Sequence, residues 1–232
     1  MSGVPDLAAR IADVRERIAR AAERAGRTAD EVRLMAVTKT FPRDVVERTL
    51  AAGVSLFGEN RVAEAAAKYA DLTGACELHL IGHLQRNKAA VAAGLFACVQ
   101  SIDKPETAAA LARRCEALGR TMDVLVEYNT SGESGKSGAT DRDGLFACID
   151  AIQGLPALAL RGLMTVGPLG GDTLEVRRSF RLLARLFAEI RSDRTPARFD
   201  TLSMGMSGDF EAAVEEGSTL VRIGSALFGA RA

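Results

Sequence analysis

Tryptophan is absent from this 232-residue chain, and only two tyrosines and two histidines occur in it. So few aromatic rings leave little on which nucleic-acid bases could stack. An excess of one charge is missing too. Thirty Lys and Arg balance thirty Asp and Glu, so no net field draws polyanions or an acidic membrane surface. No run is long and apolar enough to span a bilayer. Cys76, Cys98, Cys115 and Cys148 form no C-x-x-C pair and sit in apolar or helical sequence, which reads as buried, reduced thiols of a cytoplasmic protein. With His79 and His83 the only imidazoles, no structural metal site is expected.

What the chain does have is alternation. Leu7, Ile11, Val14 and Ile18 form an apolar stripe opposite arginines. A transit peptide would avoid acids, but Asp6, Asp13, Glu16 and Glu23 interrupt the basic face, so an ordinary amphipathic helix is expected. Short apolar runs then alternate with helical patterns. The expected strands cover 32–38, 55–58, 78–82, 95–101, 123–128, 159–165, 200–203 and 220–223. The expected helices cover 43–52, 61–70, 85–93, 105–118, 141–152, 173–190, 208–216 and a short turn at 225–228. Strands that are apolar throughout suit a parallel sheet covered on both faces, and eight β-α units can close into a barrel. A doubly wound sheet is the alternative, but no G-x-G-x-x-G opens the first unit. No long linker divides the chain. The fold expected is α/β, a single TIM (β/α)8 barrel over 1–232 with an extra N-terminal helix. The Thr130–Gly138 stretch, TSGESGKSG, reads as a loop over the barrel mouth.

Active sites of such barrels lie at the carboxyl ends of the strands. Read in order, those ends carry Lys39, Glu59-Asn60, His83, Asn129, Met164-Thr165, Ser203 and Arg222. Lys39 closes the run VRLMAVTK, where a partly desolvated mouth would favour the neutral amine that attacks an aldehyde. A solvated lysine ending a strand is the bland alternative. Two later strand ends change the balance. Ser203–Asp209, SMGMSGD, and Arg222–Ser225, RIGS, offer hydroxyls and glycine-exposed amides where barrels recurrently bind phosphate. Strand 8 adjoins strand 1 in a closed barrel, so the amine should lie within one cofactor length of the anion site.

Five segments resemble the pyridoxal-phosphate homeostasis family (the YggS/PROSC family): AVTKT (36–40), FGENRVAE (57–64), HLIGHLQRNK (79–88), LRGLMTVGP (160–168) and LSMGMSGDFEAAVEEGSTLVRIGSALFGAR (202–231). The family is similar in fold to the amino-terminal barrel of alanine racemase, a fold-type III pyridoxal 5′-phosphate (PLP) binder. The resemblance implies PLP as cofactor, with Lys39 matching the lysine of the internal aldimine. Ser207, Gly224 and Ser225 match phosphate-binding positions, and Arg222 matches the arginine facing the pyridine nitrogen. Asn60 and Met204 match residues lining the cofactor. His83 stands where many relatives carry other residues. Leu78 and Arg61 occupy positions where relatives often have aromatics.

The implied role is vitamin B6 homeostasis, buffering the cofactor and delivering it to apo PLP-dependent enzymes. An arginine opposite the ring nitrogen disfavours a pyridinium, and the unprotonated ring is a weak electron sink. Racemases also use a base from a carboxy-terminal domain, which a chain ending at Ala232 is not expected to carry. A monomer without catalytic turnover is therefore expected. A slow amino-acid racemase is the alternative, and a cofactor-free Schiff-base aldolase a third reading. Glu127 could take Arg222 as an ion pair instead. Lys136 and Lys88 could form a second phosphate-handling patch or be plain surface lysines.

Overall fold

The computed structural model describes residues 6–72, 74–193 and 198–229. The ends of the 1–232 span expected to form one domain lie outside these, as do residues 230 and 231 of the last motif. Eight parallel strands close into a barrel in chain order. They are β1 (Arg33–Val37), β2 (Leu56–Glu59), β3 (Glu77–Leu80), β4 (Cys98–Ile102), β5 (Met122–Glu127), β6 (Leu158–Met164), β7 (Thr201–Met206) and β8 (Leu220–Ile223). Helices α2 (Arg43–Ala51), α3 (Val62–Tyr69), α4 (Ala89–Leu95), α5 (Pro105–Ala117), α6 (Arg142–Gln153), α7 (Thr173–Asp193) and α8 (Phe210–Glu215) follow the first seven strands, and α9 (Ser225–Phe228) follows the eighth. Local chemistry marks some starts: the Asp141 carboxylate accepts the Gly144 N–H, and Pro105 opens α5.

The amphipathic N-terminal helix is α1 (Leu7–Arg24), burying Ile11, Val14, Ile18, Ala21 and Ala22 on one stripe. It lies against α8 and α9. Arg17 makes two 3.0 Å bonds to Glu211, and Arg10 donates to the Leu227 carbonyl at 3.2 Å. The helix thus backs the two segments that leave β7 and β8.

Several boundaries differ from the sequence reading, such as α4 starting at Ala89 and α7 running on to Asp193, and two of them have a clear local cause. The fourth strand begins at Cys98, because Gly94 and Leu95 finish α4 and the apolar run passes from helix to strand without a polar break. The seventh strand runs on through Met206, and α8 starts at Phe210. Gly205 makes this possible. Its φ is +91°, and a Cβ there would sit 2.5 Å from that of Ala213, so only glycine lets α8 close on the strand.

Most of the core lies between strands and helices. Inside the barrel, two small apolar clusters, Met35-Leu56-Leu220 and Cys98-Leu125-Met164, flank buried polar side chains. Ser203 of β7 donates a 2.7 Å bond to Gln100 of β4, strands that are not neighbours, so the bond crosses the lumen.

A second buried polar group joins the carboxyl ends of β1 and β2 to α3. Lys68 donates to the Thr38 carbonyl (2.7 Å), Glu59 Oε1 (2.8 Å) and Glu64 Oε1 (3.0 Å). The Thr38 hydroxyl donates to Glu59 Oε1 at 2.7 Å and meets the Tyr69 hydroxyl at the same distance. Burial pushes the Glu59 carboxyl up, while Lys68 and Thr38 pull it back down. Breaking a buried pair by removing one partner costs about 3–5 kcal/mol, whereas an apolar replacement of both is often neutral. Lys68→Met should therefore lower the urea-unfolding free energy by about 3–5 kcal/mol, and adding Glu59→Leu should restore most of it. A single-variant loss below about 1 kcal/mol would show that the pair contributes no more than a surface ion pair.

Candidate functional site

Strand pairing brings the two halves of the site together. β8 lies beside β1 with Met35 opposite Arg222 and Ala36 opposite Ile223. Lys39 therefore leaves β1 next to the segment that leaves β8. The backbone around this lysine is held from below and ahead. Thr38 belongs to the Lys68 cluster, and the Thr40 N–H donates to Glu64 Oε1 at 2.5 Å. Thr40 has φ of +69°, an unfavourable conformation for a β-branched residue that costs about 1–3 kcal/mol and persists only where surroundings impose it. The turn after the lysine is thus strained and braced, and Lys39 itself is half-buried.

A cavity of about 440 Å³ opens at these strand ends, within the ordinary size range of small-molecule sites. Lys39, Ser207, Arg222, Gly224 and Ser225 line it together, with Phe41, Ile81 and Met206 supplying apolar walls. The N–H groups of Gly224 and Ala226 converge on Ser207 Oγ at 3.2 and 3.1 Å. Two amides and two hydroxyls are thus gathered together, the Lys39 amine shares the cavity, and among the described residues no carboxylate lines it. An anionic group fits this donor set. The turn that presents Ser207 is pinned by the Asp209 carboxylate, which accepts the Met206 N–H at 2.5 Å.

Arg222 is almost fully buried. It donates to Ser203 Oγ and to the Thr165 carbonyl, both at 2.7 Å. Burial pushes its guanidinium down to about 10, opposed by the charges of Glu127 and Asp209, so it stays a cation at neutral pH. Glu127 influences it through the field of the mouth, and no hydrogen bond or close ion pair joins the two among the described residues. The Glu127 carboxyl is itself pushed up to about 7, first by burial, then by Asp103, against the pull of Arg222.

Not every residue expected in the site lines this cavity. Met204 is fully buried in the main core, and Met206, two residues on, forms the wall instead. Asn60 is half-buried after β2, its backbone wedged against Gly82, where a Cβ would fall 2.3 Å from the Asn60 carbonyl. His83 is half exposed, with Nδ1 at 3.6 Å from Asp103. Lys136 is tied to Glu133 and to the Gly167 carbonyl, and Lys88 lies in an exposed turn; neither lines the cavity. Ser203 is turned into the lumen rather than into the mouth. Phe41, Ile81 and Met206 were missed as wall residues. Their sequence signal was only that of apolar positions beside strand ends. The bracing pair Lys68 and Glu64 lies on α3 at i, i+4 spacing, a pattern that usually marks a solvated helix face.

The geometry meets a consistent set of relatives. The family model for the alanine racemase N-terminal domain matches residues 10–232. The chain is 40% identical over 209 residues to the pyridoxal phosphate homeostasis protein of Vibrio alginolyticus, covering 87% of this chain and 88% of that protein. It is likewise 40% identical over 233 residues to the protein of that name from Escherichia coli K12, covering 97% of each. The structure of PipY from Synechococcus elongatus PCC7942 with PLP bound superposes with a TM-score of 0.84 at 34% identity, over 97% of this chain and 100% of that one. A closed eight-stranded barrel, a matching domain model and near-complete coverage at this identity agree: the chain belongs to the pyridoxal phosphate homeostasis protein family, built on the alanine racemase N-terminal barrel.

Proposed function

We propose that this protein holds pyridoxal 5′-phosphate in the cavity between β1, β7 and β8, and that it buffers the cofactor and delivers it to apo-enzymes. The observation that carries this reading is that Lys39 shares one cavity with Ser207, Gly224 and Ser225, where two backbone amides converge on the Ser207 hydroxyl. The homeostasis names of relatives at 40% identity and the PLP-bound PipY structure support it.

In this reading Lys39 anchors the cofactor as an imine, and Ser207, Gly224, Ser225 and the Ala226 amide take the phosphate. Arg222 faces the ring nitrogen as a fixed cation. PLP supplies an electron sink when its nitrogen is protonated, and a guanidinium at that nitrogen opposes protonation. The residues present thus retain the cofactor more than they exploit it. The role is one of binding and transfer by a single barrel domain, without catalytic turnover.

A slow racemase is the second reading, and one feature favours it. The Glu127 carboxyl, pushed up to about 7 at the same mouth, is tuned to exchange protons near neutral pH.

Borohydride reduction of PLP-loaded protein should fix the cofactor on Lys39, and Lys39→Ala should abolish that adduct by mass spectrometry; an undiminished adduct would discard the assignment. Ser207→Ala should weaken PLP binding about tenfold, the worth of one good hydrogen bond to a charged group. Holo-protein incubated with single amino-acid enantiomers in deuterium oxide should incorporate negligible Cα deuterium. Rapid incorporation that Glu127→Gln abolishes would instead establish the racemase reading.

A further inference from the structure

One unbroken line of hydrogen bonds runs through the barrel lumen, from the amino-terminal rim to the cavity. At the rim, Arg33 donates to Glu77 Oε2 at 2.5 Å. Glu77 Oε1 meets His79 Nε2 at 2.7 Å, His79 Nδ1 meets the Gln100 amide nitrogen at 2.8 Å, and Gln100 Oε1 accepts from Ser203 Oγ at 2.7 Å. Ser203 Oγ in turn accepts from Arg222 at 2.7 Å. His79, Gln100, Ser203 and Arg222 are all buried, so water does not compete for the bonds among these four.

The donors are arranged so that each link determines the next. Glu77 is held down to about 2 by His79 and Arg33, so a carboxylate faces His79 Nε2, which must therefore carry a proton. Burial keeps the His79 ring neutral, leaving Nδ1 as an acceptor. An acceptor at Nδ1 fixes the Gln100 amide with its NH2 toward His79 and its oxygen toward Ser203. That oxygen commits the Ser203 hydroxyl to donate to Gln100, which frees its lone pairs for Arg222. The opposite tautomer of His79 would set a lone pair against the Glu77 carboxylate. It would also turn the Gln100 NH2 toward Ser203 and reverse the hydroxyl.

We propose that His79, which does not line the cavity, is a positioning residue. Through Gln100 and Ser203 it sets the hydrogen-bond polarity that holds Arg222 at the cofactor ring. The inference rests on the reading of Arg222 as the ring-nitrogen partner. The relay itself is a property of the protein without ligand.

The test uses the full chain. His79→Leu removes the acceptor, whereas His79→Asn keeps a carbonyl oxygen near the Nδ1 position. In PLP-loaded protein, His79→Leu and Ser203→Ala should each displace the visible imine band in the same direction. Each should raise the PLP dissociation constant about three- to tenfold, and the double variant should be no worse than either single one. His79→Asn should restore the wild-type band. Multiplying losses, an unmoved band in His79→Leu, or equal damage in His79→Asn would overturn the proposal.

A measurement on folded protein without PLP covers the case where His79→Leu does not fold. With only His79 and His83 to resolve, 15N NMR should show His79 Nδ1 unprotonated, and Ser203→Ala should move that resonance while leaving His83 in place. An unmoved His79 signal sinks the relay. Wild-type protein that takes up no PLP sinks the functional reading and leaves this measurement standing.

Discussion

The pairing of β8 with β1 is the constraint on which everything else in this protein depends. Those two strands are the farthest apart in the chain, and their contact turns an open sheet into a barrel. It also sets Lys39, from the first strand, beside Arg222, Gly224 and Ser225, from the last. An amine near the start of the chain and an anion cradle near its end become two walls of one cavity. The N-terminal helix reinforces that seam by packing on α8 and α9, the segments that carry the loops after β7 and β8.

Buried polar groups then specify the details that apolar packing leaves open. Charged or polar side chains in a core are costly unless every partner is present, and the benefit they confer is a single geometry. Two such groups reach the residues of the cavity, and in one of them Glu59 Oε2 is left without a hydrogen-bond partner among the described residues. Under Lys39, the Lys68, Glu59 and Thr38 cluster supports a turn whose next residue, Thr40, is held in a conformation threonine rarely adopts. In the lumen, the line from Glu77 to Ser203 reaches Arg222. One group aims the amine and the other the guanidinium. Each ends one residue or one bond short of the cavity, which is why neither His79 nor Lys68 belongs to it.

The comparison between sequence and structure turns on this distinction. Lys39 and the S-G-D and R-I-G-S segments could be read from the chain because strand ends and glycine turns have local signatures. The swap of Met204 for Met206 could not. Whether β7 stops at Ser203 or continues depends on α8 closing over Gly205, a contact between distant surfaces. Likewise, Leu95 and Phe96 continue an apolar run whose division between α4 and β4 is decided by what packs on each side.

The amino-acid sequence by itself determined the β-α alternation, the eight-fold count, the family resemblance and the residues able to meet an aldehyde and a phosphate. Periodicity and side-chain chemistry are local properties. Tertiary structure alone decided which polar side chains face the lumen and which face the mouth. It also decided which methionine forms the wall and that a histidine on β3 connects to an arginine on β8. Those outcomes depend on strand register around a closed ring, where the side of the sheet a residue occupies is set by partners far away in the chain.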